Sequence, residues 1–132
     1  MREIKCSLPS ILSNLAKIEN FLDRMMDDFQ IPASLQGRIS LAVIEAVNNS
    51  LLHGNKRNPE KMMTVLAREY HDRITVTVKD EGEGFDYTDI PDPTAPENIM
   101  KACGKGLYLM SSLSDELTFH SNGSEVAMSF LL

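Results

Sequence analysis

Alternation of apolar and polar residues predicts a strand near the start of the chain. Ile4, Cys6 and Leu8 are separated by polar neighbours, and Pro9 would end the strand because proline cannot donate to a β-ladder. The same alternation predicts four more strands, at 63–67, 74–78, 117–119 and 126–130. Residues 70–73 and the pair Asn122-Gly123 are the predicted turns, so the four strands form two hairpins.

Apolar residues three and four positions apart predict helices between these strands. The first helix spans residues 11–29, with Ser10 as its N-cap, and Pro32 breaks it. The second begins near Ser34 and stops at Gly54, which we interpret as a left-handed terminator. Gly106 opens the third, in which Leu107, Met110 and Leu113 share one face.

The stretch from Phe85 to Cys103 has no helical period and carries three prolines and several acidic residues. A loop of this length inside a compact domain is uncommon and is usually functional or mobile. The predicted order is strand, helix, helix, strand, strand, loop, helix, strand, strand. Strands with one apolar face need helices on that face only, which predicts a two-layer α+β sandwich with a mixed, mostly antiparallel sheet.

Composition narrows the class of protein. With 132 residues, of which 42% are hydrophobic, the chain suits a single domain spanning 1–132. A net charge of -6 argues against direct binding of nucleic acid, which needs clustered Lys and Arg. The two cysteines, Cys6 and Cys103, have no metal-ligand spacing, and we see neither a signal peptide nor an apolar run of membrane length. These features predict a cytoplasmic protein without membrane contact.

Three short segments carry residues that could bind a ligand or catalyse a reaction, and we call them the chemical segments. The first is Glu45-Ala-Val-Asn-Asn-Ser-Leu-Leu-His-Gly-Asn, on the second predicted helix. Glu45 and Asn49 are four residues apart and therefore share a helix face. If Glu45 and Asn49 were the only polar residues there, a solvated polar face would explain them. Two successive asparagines, however, lower helix stability, because their side chains compete for backbone hydrogen bonds. An amide oxygen beside an acid suits Mg²⁺, which takes few protein ligands, and leaves Glu45 free to act as a general base. His53, one turn further on, would either cap the helix or contact a phosphate.

The second and third segments are turns rich in glycine. Asp80-Glu-Gly-Glu-Gly follows a predicted strand; Gly82 and Gly84 allow a ligand to approach the backbone, and the Asp80 carboxylate can accept from an exocyclic amine of a base. Gly104-Lys-Gly-Leu stands at the predicted start of a helix, where free N–H groups favour an anion. Lys105 would either contact a phosphate or be solvated. The spacing matches neither the Walker A motif nor the dinucleotide fingerprint.

Taken together, the three segments resemble the N, G1 and G2 boxes of the GHKL (Bergerat-fold) ATPases. Within that superfamily, the first and third segments look most like those of the bacterial anti-sigma factor serine/threonine kinases, and the resemblance spans nearly the whole chain. It implies that Glu45 is the catalytic base, that Asn49 binds Mg²⁺ and that Asp80 recognises adenine. It also implies that residues 85–103 form a lid over ATP.

The matching glycine positions then serve ATP binding: Gly82 and Gly84 shape the turn after Asp80, and Gly104, Lys105, Gly106 and Leu107 lie at the phosphates. The function implied is an ATP- and Mg²⁺-dependent serine/threonine kinase that phosphorylates an anti-sigma factor antagonist and binds a sigma factor. The alternative is a nucleotide-binding regulatory module that controls its partner without phosphorylating it. Apolar residues in the first helix and the final strands fit either a homodimer or core packing.

Overall fold

A computed structural model of the chain describes residues 2–83 and 102–132. In this part of the chain, three α-helices pack on one face of a five-stranded sheet. The helices are α1 (Leu15–Asp28), α2 (Ala33–Asn49) and α3 (Ala102–Leu113). The strands are β1 (Glu3–Pro9), β2 (Met62–Glu69), β3 (Arg73–Lys79), β4 (Glu116–His120) and β5 (Glu125–Leu131). The predicted two-layer α+β architecture and the predicted order of elements are confirmed over these residues.

The sheet has the order β1-β2-β3-β5-β4, and all four strand pairings among the described residues are antiparallel. Its register places Val65 opposite Val78 and Val78 opposite Val126, so the apolar side chains of neighbouring strands lie on one face. These side chains are fully or nearly fully buried against α1 and α2. Burial of each such side chain contributes about 1.5–3 kcal/mol, which fixes the register strongly.

Strand order also determines which chain segments meet at one end of the sheet. Because β5 lies beside β3, the turn after β3 sits next to the connection between β4 and β5. The backbone N–H of Asp80 donates to the carbonyl oxygen of Ser124 at 2.9 Å and joins the two segments. The C-terminal end of α2 and the helix α3 lie over this end of the sheet.

The first helix starts later than the sequence predicts. A 3₁₀ turn (Leu12–Asn14) precedes α1, and Ser10 makes no capping hydrogen bond. Ser10 is instead completely buried, and its hydroxyl donates to the carbonyl oxygen of Lys61 at 2.7 Å. The prediction of Ser10 as an N-cap is therefore wrong, because a contact distant in sequence uses the hydroxyl.

The end of the second helix also differs from its prediction. After α2 the chain continues as a π-helical turn (Ser50–Gly54), and the residues with left-handed backbone are Lys56 (φ 52°) and Arg57 (φ 58°). Gly54 does not have a positive φ, so its interpretation as a left-handed terminator is wrong. Its lack of a side chain has another cause, which lies in the site described below.

Helix α3 begins at Ala102, four residues before the predicted start at Gly106. Gly104, Lys105 and Gly106 are therefore inside the helix rather than ahead of it. The predicted turn at Asn122-Gly123 is confirmed: it lies in a four-residue connection, 121–124, in which Ser121 (φ 52°), Asn122 (φ 59°) and Gly123 (φ 93°) all have positive φ. None of the helices in the described ranges is long and apolar enough to cross a membrane.

Candidate functional site

A cavity of about 160 Å³ lies between the C-terminal end of α2, the ends of β3 and β5, and α3. Its walls are mainly apolar and come from Ala46, Val78, Leu107, Met110, Phe119 and Val126. A few polar groups also line it, those of Asn49, Ser50, His53 and Asp80 among them. Pockets that enclose a drug-sized ligand measure roughly 300–1,000 Å³, so this one has room for one flat apolar part of such a ligand.

Asp80 is the buried acid of this cavity, with 7% of its surface exposed. Its Oδ1 accepts a hydrogen bond from the N–H of Gly82 at 2.8 Å, and the hydroxyl of Ser50 forms a second hydrogen bond with the carboxylate. Burial raises the pKa of Asp80, while these two hydrogen bonds and the charge of Lys61 act to lower it. A carboxylate has about four acceptor positions, so Asp80 keeps capacity to accept from a ligand in the cavity.

Gly54 and Gly82 are glycines because the Asp80 carboxylate lies against them. A Cβ on Gly54 would be only 2.8 Å from Oδ1 of Asp80 and closer still to Oδ2. A Cβ on Gly82 would be 2.9 Å from Oδ1 and would overlap the carbonyl oxygen of Gly54. Since real side chains do not approach so closely, both positions require glycine while Asp80 keeps this place.

Asn49 is held at the junction of α2 and α3. A Cβ added to the buried Gly106 would lie 3.0 Å from Nδ2 and 3.2 Å from Oδ1 of Asn49, so Gly106 provides the space for this amide. Among the described residues, no group of three or more acidic, histidine or cysteine side chains forms a metal site. The oxygen of Asn49 fits a cation such as Mg²⁺, which takes most of its ligands from water and phosphate.

Several residues singled out in the sequence therefore come together. Asn49, His53, Asp80 and Leu107 line the cavity, while Gly82 contacts Asp80 and Gly106 lies against Asn49. Glu45 is half-buried on α2, one turn before Asn49, and does not line the cavity itself.

Some predicted residues cannot be compared in this way. Gly84 and residues 85–101 of the predicted lid lie outside the described residues, as do the side chains of residues 102–105, which include Gly104 and Lys105.

Three further residues of this region, Ser50, Gly54 and Asn55, are not predicted from the sequence. Ser50 binds the Asp80 carboxylate, Gly54 makes room for it, and Asn55 accepts a hydrogen bond from the N–H of Glu81 at 2.8 Å. All three belong to the first chemical segment. The signal that could have found them is the recurrence of polar residues and a glycine on both sides of Leu51-Leu52, which one Mg²⁺ ligand and one catalytic base do not explain.

Comparison with known proteins agrees with this geometry. The family of histidine kinase-like ATPase domains matches residues 8–130. A relative from Staphylococcus epidermidis, named serine-protein kinase RsbW, is 38% identical over 96 residues, which are 67% of this chain and 60% of the relative. RsbW from Staphylococcus aureus strain JH9 is 32% identical over the same shares of the two chains. An anti-sigma F factor from Lysinibacillus sphaericus is 33% identical over 63% of this chain and 58% of its own.

The matched segments thus cover about 60% of the length of these relatives. The family match is much broader and includes every element that lines the cavity, from the end of β1 to β5. On this basis the chain belongs to the family of histidine kinase-like ATPase domains.

Proposed function

We propose that this protein is an ATP- and Mg²⁺-dependent serine/threonine kinase that phosphorylates an antagonist protein and binds a sigma factor in a partner-switching system. The observation that supports it most is the buried Asp80 carboxylate in an apolar cavity of base size. The names of the relatives, serine-protein kinase and anti-sigma F factor, support the choice of reaction and partners.

The adenine ring of ATP would enter the cavity with its exocyclic amine donating to Asp80. The apolar walls suit a flat heteroaromatic ring, and the remaining acceptor positions of the carboxylate supply its polar recognition. Guanine carries a carbonyl oxygen where adenine carries its amine, and a carboxylate opposite that oxygen is repelled. The site therefore favours ATP over GTP.

The phosphates would extend from the cavity toward Asn49 and the first turn of α3. The first N–H groups of a helix lack partners within the helix, and the dipole there favours an anion. Gly104 and Lys105 belong to this first turn, and Gly106 follows it directly. His53, Gly82, Gly84 and Leu107 complete the proposed set of nucleotide-binding residues. Mg²⁺ would be held by Asn49 and would neutralise charge on the phosphoryl group during transfer.

Glu45 is the proposed catalytic base. Its carboxylate would accept the proton of a Ser or Thr hydroxyl on the antagonist as that oxygen attacks the γ-phosphorus. The new O–P bond forms while the bond from the γ-phosphorus to the β–γ bridging oxygen breaks, and ADP leaves. The place of Glu45 outside the cavity lining is consistent with this role, because a base for a protein substrate must face the partner rather than the adenine ring.

The same placement is compatible with the alternative function. If Glu45 does not reach a hydroxyl of the partner, the chain binds ATP and regulates its partner without phosphorylating it. Because sigma factors act on transcription, both versions of the proposal carry a cytoplasmic location with them.

The test uses Glu45→Gln, with Glu19→Gln on the exposed side of α1 as the matched control. Calorimetry with ATP and Mg²⁺ should give the same Kd for both variants and the unmodified chain. Transfer of the labelled γ-phosphate to an antagonist protein, taken from the gene next to the one for this chain, should fall by about 10²–10⁴-fold in Glu45→Gln only. Equal transfer in the two variants contradicts the role of Glu45. Binding without transfer by the unmodified chain favours the alternative, and no ATP binding refutes both.

A further inference from the structure

Asn55 is a buried amide whose hydrogen bonds join three segments at one end of the sheet. It is 1% exposed, although asparagine is usually a surface residue. Its Nδ2 donates to Oγ of Ser10 at 2.7 Å and to the carbonyl oxygen of Met62 at 2.9 Å. Its Oδ1 accepts from the N–H of Glu81 at 2.8 Å. Asn55 thus connects the residue after β1, the start of β2 and the turn after β3.

The partners determine the orientation of the amide. The Met62 carbonyl can only accept and the Glu81 N–H can only donate, so the nitrogen and oxygen of Asn55 cannot be exchanged. The Ser10 hydroxyl already donates to the Lys61 carbonyl oxygen at 2.7 Å, so it accepts from Asn55. The N–H of Glu81 therefore requires an acceptor atom on the side chain at position 55.

The Glu81 N–H lies in the middle of the turn that carries the acid of the cavity. On one side of it, the N–H of Asp80 donates to Ser124, and on the other, the N–H of Gly82 donates to the Asp80 carboxylate. Gly54, the residue before Asn55, packs against the same turn so closely that neither Gly54 nor Gly82 has room for a Cβ. The turn is thus fixed at Asp80, Glu81 and Gly82, and Asn55 supplies the contact at Glu81.

We propose that Asn55 is a positioning residue for nucleotide recognition, acting through Glu81 to hold the Asp80 carboxylate in the cavity. This rests on the proposed function and adds to it a residue that does not touch the nucleotide. Without the Oδ1 contact, the turn must be ordered when ATP binds, and that cost lowers affinity. The two Nδ2 contacts serve a different purpose, since they join β1 to β2 and stabilise the fold.

The experiment compares Asn55→Ala with Ser10→Ala. Ser10→Ala removes one Nδ2 partner and destabilises the same region, but it leaves the Oδ1 contact with Glu81 in place. Asn58→Ala is a control from the same loop, because that amide accepts the N–H of Glu60 at 3.0 Å, away from the cavity. We expect a Kd for ATP with Mg²⁺ about tenfold higher in Asn55→Ala, and unchanged within about twofold in the other two variants.

The melting temperature separates positioning from stability. We expect Asn55→Ala and Ser10→Ala both to melt at lower temperature, with only the first losing affinity when both are measured well below melting.

Two results would overturn the proposal: an unchanged Kd in Asn55→Ala, or equal losses of affinity in Asn55→Ala and Ser10→Ala. If Asn55→Ala does not fold, NMR of the unmodified chain decides. Addition of ADP should then shift the Asn55 side-chain amide and slow hydrogen exchange at Glu81, and no change at either group contradicts the proposal. Failure of the proposed function looks different, because the unmodified chain would then bind no ATP.

Discussion

Gly54→Ala is the substitution that tests the geometry of the cavity most directly. Gly54 lies in the helical turn that follows α2 and does not have a positive φ, so alanine suits its backbone. On helix propensity alone, the change should stabilise the protein by about 1 kcal/mol. The added methyl carbon would nevertheless lie 2.5 Å from Cγ of Asp80, well inside contact distance. The carboxylate must move away from Gly54.

The size of the effect follows from what that movement breaks. Asp80 is 7% exposed and is held by hydrogen bonds from Gly82 and Ser50. A hydrogen bond to a charged group is worth about 1.5–3 kcal/mol, and the displaced carboxylate also loses its alignment with the amine of adenine. Loss of one such bond to the ligand raises the Kd for ATP by about 10–100-fold. The gain from helix propensity does not offset this, because it acts on folding and not on binding.

The assay is calorimetric titration with ATP and Mg²⁺, together with thermal unfolding of the chain without nucleotide. Gly37→Ala is the matched control: Gly37 is exposed on α2, and a Cβ there would have no heavy atom within 4 Å. It should stabilise the protein by about 0.5–1 kcal/mol and leave the Kd unchanged. A Gly54→Ala variant that binds ATP as tightly as Gly37→Ala would refute both the predicted displacement of the Asp80 carboxylate and the proposal that Asp80 recognises adenine.

Three further predictions concern the neighbours of this contact. Burial raises the pKa of Asp80, so as the pH rises the unfolded chain loses the Asp80 proton before the folded chain does. The free energy of unfolding should therefore fall between pH 3.8, the ordinary Asp pKa, and the pKa of Asp80 in the folded chain. Asp80→Asn should remove this part of the slope when unfolding is measured against pH, and an identical slope in the variant contradicts the prediction. Ser50→Ala removes a hydrogen bond that lowers the pKa of Asp80, so an NMR titration of the Asp80 carboxyl should show a higher pKa, whereas an unchanged value excludes the contact. Gly106→Ala places a Cβ 3.0 Å from Nδ2 of Asn49 and should weaken ATP binding in Mg²⁺ more than in EDTA, while equal weakening in both argues against Asn49 as the Mg²⁺ ligand.

The fold was predictable from the sequence because its strands and helices have clean periodicities. Residues 63–67 and 74–78 alternate so regularly that one face must be buried, and the structure buries that face completely. The starts of α1 and α3 were predicted less well. Ser10 has the residue type of an N-cap, but it pairs with Lys61, 51 positions away, and local reasoning does not detect such a contact.

Part of the candidate site was also predictable, but for a different reason. Asn49 and Asp80 were identified because their chemistry is visible in short segments, on one helix and in one turn. Asn55 and Gly54 were not, since their roles arise only when the turn after β3 meets the end of α2. A local rule about helix ends accounts for glycine at position 54 in the sequence, whereas in the structure the position requires glycine because of a carboxylate 26 residues away in sequence.

The arrangement around Asp80 is better explained by ligand binding than by stability. Burial disfavours the charged form of this carboxylate, and an apolar residue in the same place would avoid that cost. Instead, neighbouring residues accommodate it: two glycines leave it room, Ser50 and Gly82 donate to it, and Asn55 fixes its turn. A carboxylate that destabilises the free protein, yet is held so firmly, contributes favourably when it accepts a hydrogen bond from a bound ligand. Asp80→Asn should therefore bind ATP more weakly in a protein that is no less stable at neutral pH.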